Sequence, residues 1–138
     1  MTTDLEHYAN ENGIKFFLMN FTDLFGTQRS KLVPSQAIGR MQKSGAGFAG
    51  FAAWLDMTPA HPDMFSMPDP SSVIQLPWKP EVAWVAGNLA MDGKEIDQAP
   101  RNVLRRVIAQ AAEKGIVMKA GVEPEFHLIS PDGSDISD

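Results

Sequence analysis

The stretch GFAGFAAWLDMTPAHPDMFSMPDPSS, residues 47–72, limits what this chain can fold into more than any other. Its prolines and glycines recur too often for a long helix. Phe48, Phe51, Trp54 and Phe65, with Leu55, Met57, Met64 and Met67, make it too apolar for a solvated linker. It therefore reads as an irregular loop packed against the rest of the protein. Long loops inside compact proteins are often functional.

Regular elements flank it on both sides. Thr3 or Asp4 can cap a short helix whose inner face is Leu5, Tyr8 and Ala9, with Gly13 just past its end. The apolar run from about Ile14 to Asn20 predicts a strand, DLFGTQ a turn, and RSKLVP a second strand ending at Pro34, so that the two strands form a hairpin. Ser35 starts another helix with Ala37, Ile38 and Met41 facing inward. After the loop, SVIQLPW and EVAWVAGNL predict two strands, and MDGK a turn. APRNVLRRVIAQAAEKG is the clearest helix: Pro100 suits its first turn, Val103, Leu104, Val107, Ile108 and Ala111 make an inner stripe, and Gly115 ends it. IVMKAGVEPEFHLIS predicts a final strand. The order is α+β rather than a regular alternation, with a change of register near residue 97.

Composition removes several function classes. With 43% hydrophobic and 21% charged residues the chain is globular rather than disordered. A net charge of −5 leaves no basic stripe for nucleic acid and no attraction to an anionic membrane. The absence of cysteine excludes disulfides and thiolate metal sites and fits a reducing compartment. No apolar run approaches membrane-spanning length and no secretory signal opens the chain, so a cytoplasmic protein is expected.

The candidate site lies in GVEPEFHL, residues 121–128. On a strand, Val122, Pro124, Phe126 and Leu128 share one apolar face, and Glu123, Glu125 and His127 share the other. Carboxylates two residues apart have β-carbons about 7 Å apart. They can share one divalent cation or hold two, and their hard oxygens suit Mg²⁺ or Mn²⁺. A wet strand face explains the same spacing without a metal.

GVEPEFHL resembles the G-x-E-x-E-F strand of the glutamine synthetase family. NFTDLFGTQRSKLVP is similar to that family's early hairpin, DMFSMPDPSSVIQLPW to its loop into the next strand, and DQAPRNVLRRV to the P-R-x-x-L helix that begins its catalytic domain. GAGFAGFAAWLDMTP resembles the branch of γ-glutamylmethylamide synthetases. The resemblance implies a small β-grasp-like N-terminal domain over residues 1–97. The beginning of a truncated catalytic domain, its first helix and strand, would follow over 98–138. It implies an ATP-dependent ligase that activates the γ-carboxylate of glutamate and transfers it to an amine. It also implies homo-oligomeric rings with active sites shared between subunits.

Glu123 and Glu125 match the family's strand glutamates, ligands to separate Mg²⁺ or Mn²⁺ ions. Ala49 matches an aspartate that ammonia-using members place in F-D-G-S-S. Alanine cannot accept a proton but leaves room for an alkyl group, so methylamine or another small alkylamine is the expected amine. Ammonia, as in glutamine synthetase itself, is the alternative; a non-catalytic module docking on full-length subunits is another. His127 is not expected to be a ligand. The remaining ligands and the nucleotide pocket are expected beyond residue 138, so this chain alone is expected to be an inactive N-terminal fragment. Asp63 and Asp69 read as solvated turn residues, or else as part of an inter-subunit loop, and Arg101 as an exposed first-turn residue, or else as a partner of acidic loop residues.

Overall fold

The computed structural model describes residues 4–53, 56–134 and 136. Asp4 caps helix α1 (Leu5–Asn12) by accepting from the Glu6 amide, and Gly13 closes it in the left-handed region at φ 65°. Strands β1 (Phe16–Thr22) and β2 (Gln28–Pro34) form the expected antiparallel hairpin. A 3-10 turn at Ser35–Ala37 leads into α2 (Ile38–Ser44). Phe17, Met19, Val33, Ala83 and Val85 point to one side of the sheet, where Leu5 and Ala9 of α1 and Ile38 of α2 complete a buried cluster.

The segment read as an irregular loop corrects that expectation. It contributes β3 (Ala46–Phe48), a 3-10 turn (Gly50–Ala53), β4 (Met64–Pro68) and a second 3-10 turn (Pro70–Ser72). The breakers lie between these pieces, so each remains short enough to form. Met64, Phe21, Leu89 and Ile96 build a second buried cluster. Trp54 lies outside the described residues.

After β5 (Ile74–Leu76) comes the thirteen-residue β6 (Lys79–Met91), then β7 (Lys94–Glu95). The sheet order is β2-β1-β6-β4-β3, with β5 and β7 also on β6. β1 and β6 are parallel neighbours, and the other pairings are antiparallel. A central parallel pair with helices on one face is β-grasp-like. Partway along β6 the partner changes: Ala86 faces Asn20 of β1, and Gly87 faces Pro68 of β4. There the strands approach so closely that a β-carbon on Gly87 would lie 1.7 Å from Ser66 Oγ and 2.8 Å from the Asn20 carbonyl oxygen. Ser66 Oγ itself donates to that carbonyl at 3.2 Å.

Helix α3 (Pro100–Glu113) spans the predicted range, but it faces the other way. Asn102, not the apolar stripe, is its fully buried residue; Leu104, Val107 and Ile108 are each more than half exposed. Polar groups attach the helix to the sheet, and they leave the stripe turned outward.

The expected last strand is also corrected. Residues 116–128 carry no ladder, and beyond them the one pairing among the described residues is the bridge Ile129–Ile136. A strand exists only through its partner's hydrogen bonds, and no described segment offers one. Among the described residues, no helix is long and apolar enough to cross a membrane.

Candidate functional site

Glu123 and Glu125 lie on this unpaired, exposed segment after α3. Glu125 borders an open depression with Pro124, Phe126 and His127; Glu123 is not part of its lining. Val122 is 89% exposed and Phe126 75%, so the face expected to be core-like is in water. Without a ladder, nothing holds the two carboxylates on one side. The donors are of the right kind for Mg²⁺ or Mn²⁺, but two carboxylates fall short of the roughly six oxygens such an ion takes. No group of three or more His, Asp or Glu among the described residues converges as a metal cage.

Ala49 sits half-buried between β3 and the Gly50–Ala53 turn. Beside it Phe48 packs edge-on against Phe21, ring centroids 4.8 Å apart, and Lys31 Nζ lies 5.0 Å from the Phe48 centroid. Lys31 also donates to the Gly47 carbonyl. Phe48 is therefore a packing residue, while Phe51 is 47% exposed. No strand pairing brings Ala49 together with the glutamates.

A polar constellation forms where Arg101 meets an acidic loop residue, the lesser of the two readings of Arg101. Arg101 donates through Nη2 to Asp69 and through Nε to Asn88 Oδ1 at 2.9 Å. Next along the chain, Asn102 Nδ2 donates to the carbonyls of Leu89 and Ile96, both at 2.9 Å. The Ser71 hydroxyl holds Asp69 below the usual carboxylate range; partial burial opposes this, and the Ser71 amide and Arg101 reinforce it. These contacts join PDPSS to PRNVL, so the default reading of Asp69 and Arg101 as solvated positions gives way to the pairing. Their opposite charges were the available signal. Asn102 carried a fainter one, as a polar residue in the first turn of an otherwise amphipathic helix.

Asp23 was also missed. Its side chain is buried in the hairpin turn, accepting from the Phe25 and Thr27 amides at 3.0 and 2.9 Å and from Arg29 Nε at 2.8 Å. Burial pushes its pKa up, but the Arg29 and amide hydrogen bonds outweigh that and hold it below 3.8. It locks the hairpin and has no opening through which to meet a ligand.

This is an α+β chain with a β-grasp-like sheet, a polar-anchored helix and an acidic segment beyond it, and its sequence matches the glutamine synthetase family. The family description "Glutamine synthetase, catalytic domain" matches residues 97–137. Along all 138 residues the chain is 62% identical to a glutamine synthetase of Rhizobium meliloti (strain 1021), of which it covers 32%. It is 33% identical over 129 residues, 92% of the chain, to a glutamate–methylamine ligase of Methyloversatilis universalis, covering 29% of that protein. A solved GmaS/ADP complex superposes with a TM-score of 0.91 at 58% identity, over 100% of this chain and 32% of that one. The chain thus spans about a third of the length of these relatives.

Proposed function

We propose that this chain supplies the β-grasp-like domain, residues 1–97, and the opening of the catalytic domain, residues 98–138, of an ATP-dependent glutamate–amine ligase. The observation that carries the reading is that Glu123 and Glu125 stand, as G-x-E-x-E-F, inside the stretch that matches the family's catalytic domain. In the complete protein the two carboxylates hold Mg²⁺ or Mn²⁺. The ions supply neutralisation of the charge that gathers on ATP phosphates during phosphoryl transfer. The γ-carboxylate of glutamate takes the terminal phosphoryl group of ATP, and the amine displaces phosphate from the resulting γ-glutamyl phosphate. The 138 residues alone do not catalyse this. The complete enzyme is cytoplasmic and assembles as a homo-oligomeric ring.

Ala49 gives the amine site an apolar wall in place of a carboxylate, which favours methylamine or another small alkylamine. Relatives named glutamine synthetase and one named glutamate–methylamine ligase both match, so ammonia is the second reading. The test joins this chain to the remainder of the Rhizobium meliloti relative and compares the two amines. Higher kcat/KM for methylamine, reversed toward ammonia by Ala49→Asp, supports the proposal. A strong ammonia preference that Ala49→Asp leaves unchanged defeats it.

A further inference from the structure

The β1–β2 hairpin grips the segment around Ala49 at three points. Lys31 of β2 donates from Nζ to the Gly47 carbonyl. Its ammonium lies 5.0 Å from the centroid of the Phe48 ring, and Phe21 of β1 meets that ring edge-on at 4.8 Å. At the hairpin turn the Leu24 amide donates to the Ala53 carbonyl at 3.3 Å. The turn itself is fixed by buried Asp23, which accepts from the Phe25 and Thr27 amides and from Arg29.

These contacts join parts of the sheet that no ladder joins. β2 and β3 stand at opposite ends of the order β2-β1-β6-β4-β3, and β4 is the strand paired to β3 among the described residues. Lys31 therefore ties one edge of the sheet to the other. Its register partner on β1 is the buried Met19, so its stem leaves the sheet on the covered face. Phe48 packs against both buried clusters there. On the far side of Ala49 the chain is also enclosed. A β-carbon on Gly50 would lie 2.5 Å from Met57 Sδ and 3.4 Å from the Pro62 carbonyl oxygen. Ala49 stands between these two grips. A three-residue edge strand has few ladder bonds of its own, so side-chain ties decide where it ends and where the next residue points.

We infer that the β1–β2 hairpin positions segment 47–53, and that Lys31 is the positioning residue through which it sets the place of Ala49 in the amine site. The inference rests on the proposed ligase reading for the role of Ala49, and on the contacts above for the grip.

The test reads the grip and its consequence separately. Amide exchange in the 138-residue chain needs no activity. Lys31→Met keeps the stem and removes the donor and the charge. Exchange at residues 46–50 is expected to quicken by roughly tenfold, with α1 and β6 unchanged, and Lys31→Arg is expected to restore most of the protection. Unchanged exchange at residues 46–50 overturns the inference. Kinetics are read in the fusion with the rest of the Rhizobium meliloti relative. Lys31→Met is expected to raise KM for the amine roughly threefold or more, with kcat and the KM values for glutamate and ATP held within about twofold. Lys31→Arg should return the amine KM toward the parent. Val33→Ala, a cavity in the same strand, is the control for plain destabilisation: it should lower thermal stability without moving the amine KM. A Val33→Ala effect on amine KM equal to that of Lys31→Met overturns the inference. An amine preference that answers to Ala49→Asp but not to Lys31→Met overturns it too and leaves the ligase reading standing. Quickened exchange with amine kinetics that neither substitution changes upholds the grip and removes the reading of Ala49 as an amine-site residue.

Discussion

Gly87 and Asn102 show how little room single positions leave in this sheet. A β-carbon on Gly87 would fall 1.7 Å from Ser66 Oγ, so Gly87→Ala must part β6 from β1 and β4. A loss of about 1–3 kcal/mol is expected in urea unfolding, and pairing it with Ser66→Gly should recover part of it. Asn102→Leu removes the donor to two carbonyls, those of Leu89 and Ile96. Buried acceptors without partners cost about 1–3 kcal/mol, so this variant should unfold earlier despite its added hydrophobicity. Asp23 sets an acid limit. Its folded pKa lies below its unfolded value, so its contribution is complete above about pH 4 and is lost as pH falls through the folded value. Asp23→Asn should therefore be less stable than the parent at neutral pH, and the gap should close in acid, as read by circular dichroism. None of these three residues stood out in the sequence. A glycine in a strand, an asparagine in a helix and an aspartate in a turn all have ordinary explanations until their neighbours are known.

The elements were more legible where they carry their own signals. Asp4 and Gly13 bracket α1 by capping chemistry that depends on nearby residues alone, and the β1–β2 hairpin follows from two apolar runs and a glycine turn. Strands β3 and β4 were not legible, because the five-residue β4 leans on β6 and the three-residue β3 on β4 rather than on any pattern of their own. The orientation of α3 failed for a related reason. Amphipathic periodicity locates an apolar face but not what covers it, and here Arg101 and Asn102 fix the helix from its first turn. Arg101→Ala should loosen that attachment. Because Asp69 and Arg101 are both partly exposed, a double-mutant cycle with Asp69→Asn should give a coupling of about 1 kcal/mol. Amide exchange along α3 should quicken in the single variants, while exchange in β1 and β2 should not.

For the whole molecule, chemistry and geometry separate. The acidic pair was visible because two carboxylates interrupt an apolar run, yet their shared face was not realised. The segment that bears them has no strand beside it among the described residues, and its apolar residues Val122, Phe126 and Leu128 are exposed. A segment with no ladder has nothing to hold its side chains in alternation. The α3 residues Leu104, Val107 and Ile108 are exposed as well. On the proposed ligase reading, the carboxylates are ordered only when this stretch gains a strand partner. The direct test is Mn²⁺ binding, followed by electron paramagnetic resonance, to the fusion with the rest of the Rhizobium meliloti relative, beside its Glu123→Gln and Glu125→Gln variants. The account predicts weak binding to the 138-residue chain, tight binding to the fusion, and a loss of about tenfold or more in affinity in each variant. Equal Mn²⁺ affinity in the fusion and both variants would contradict it.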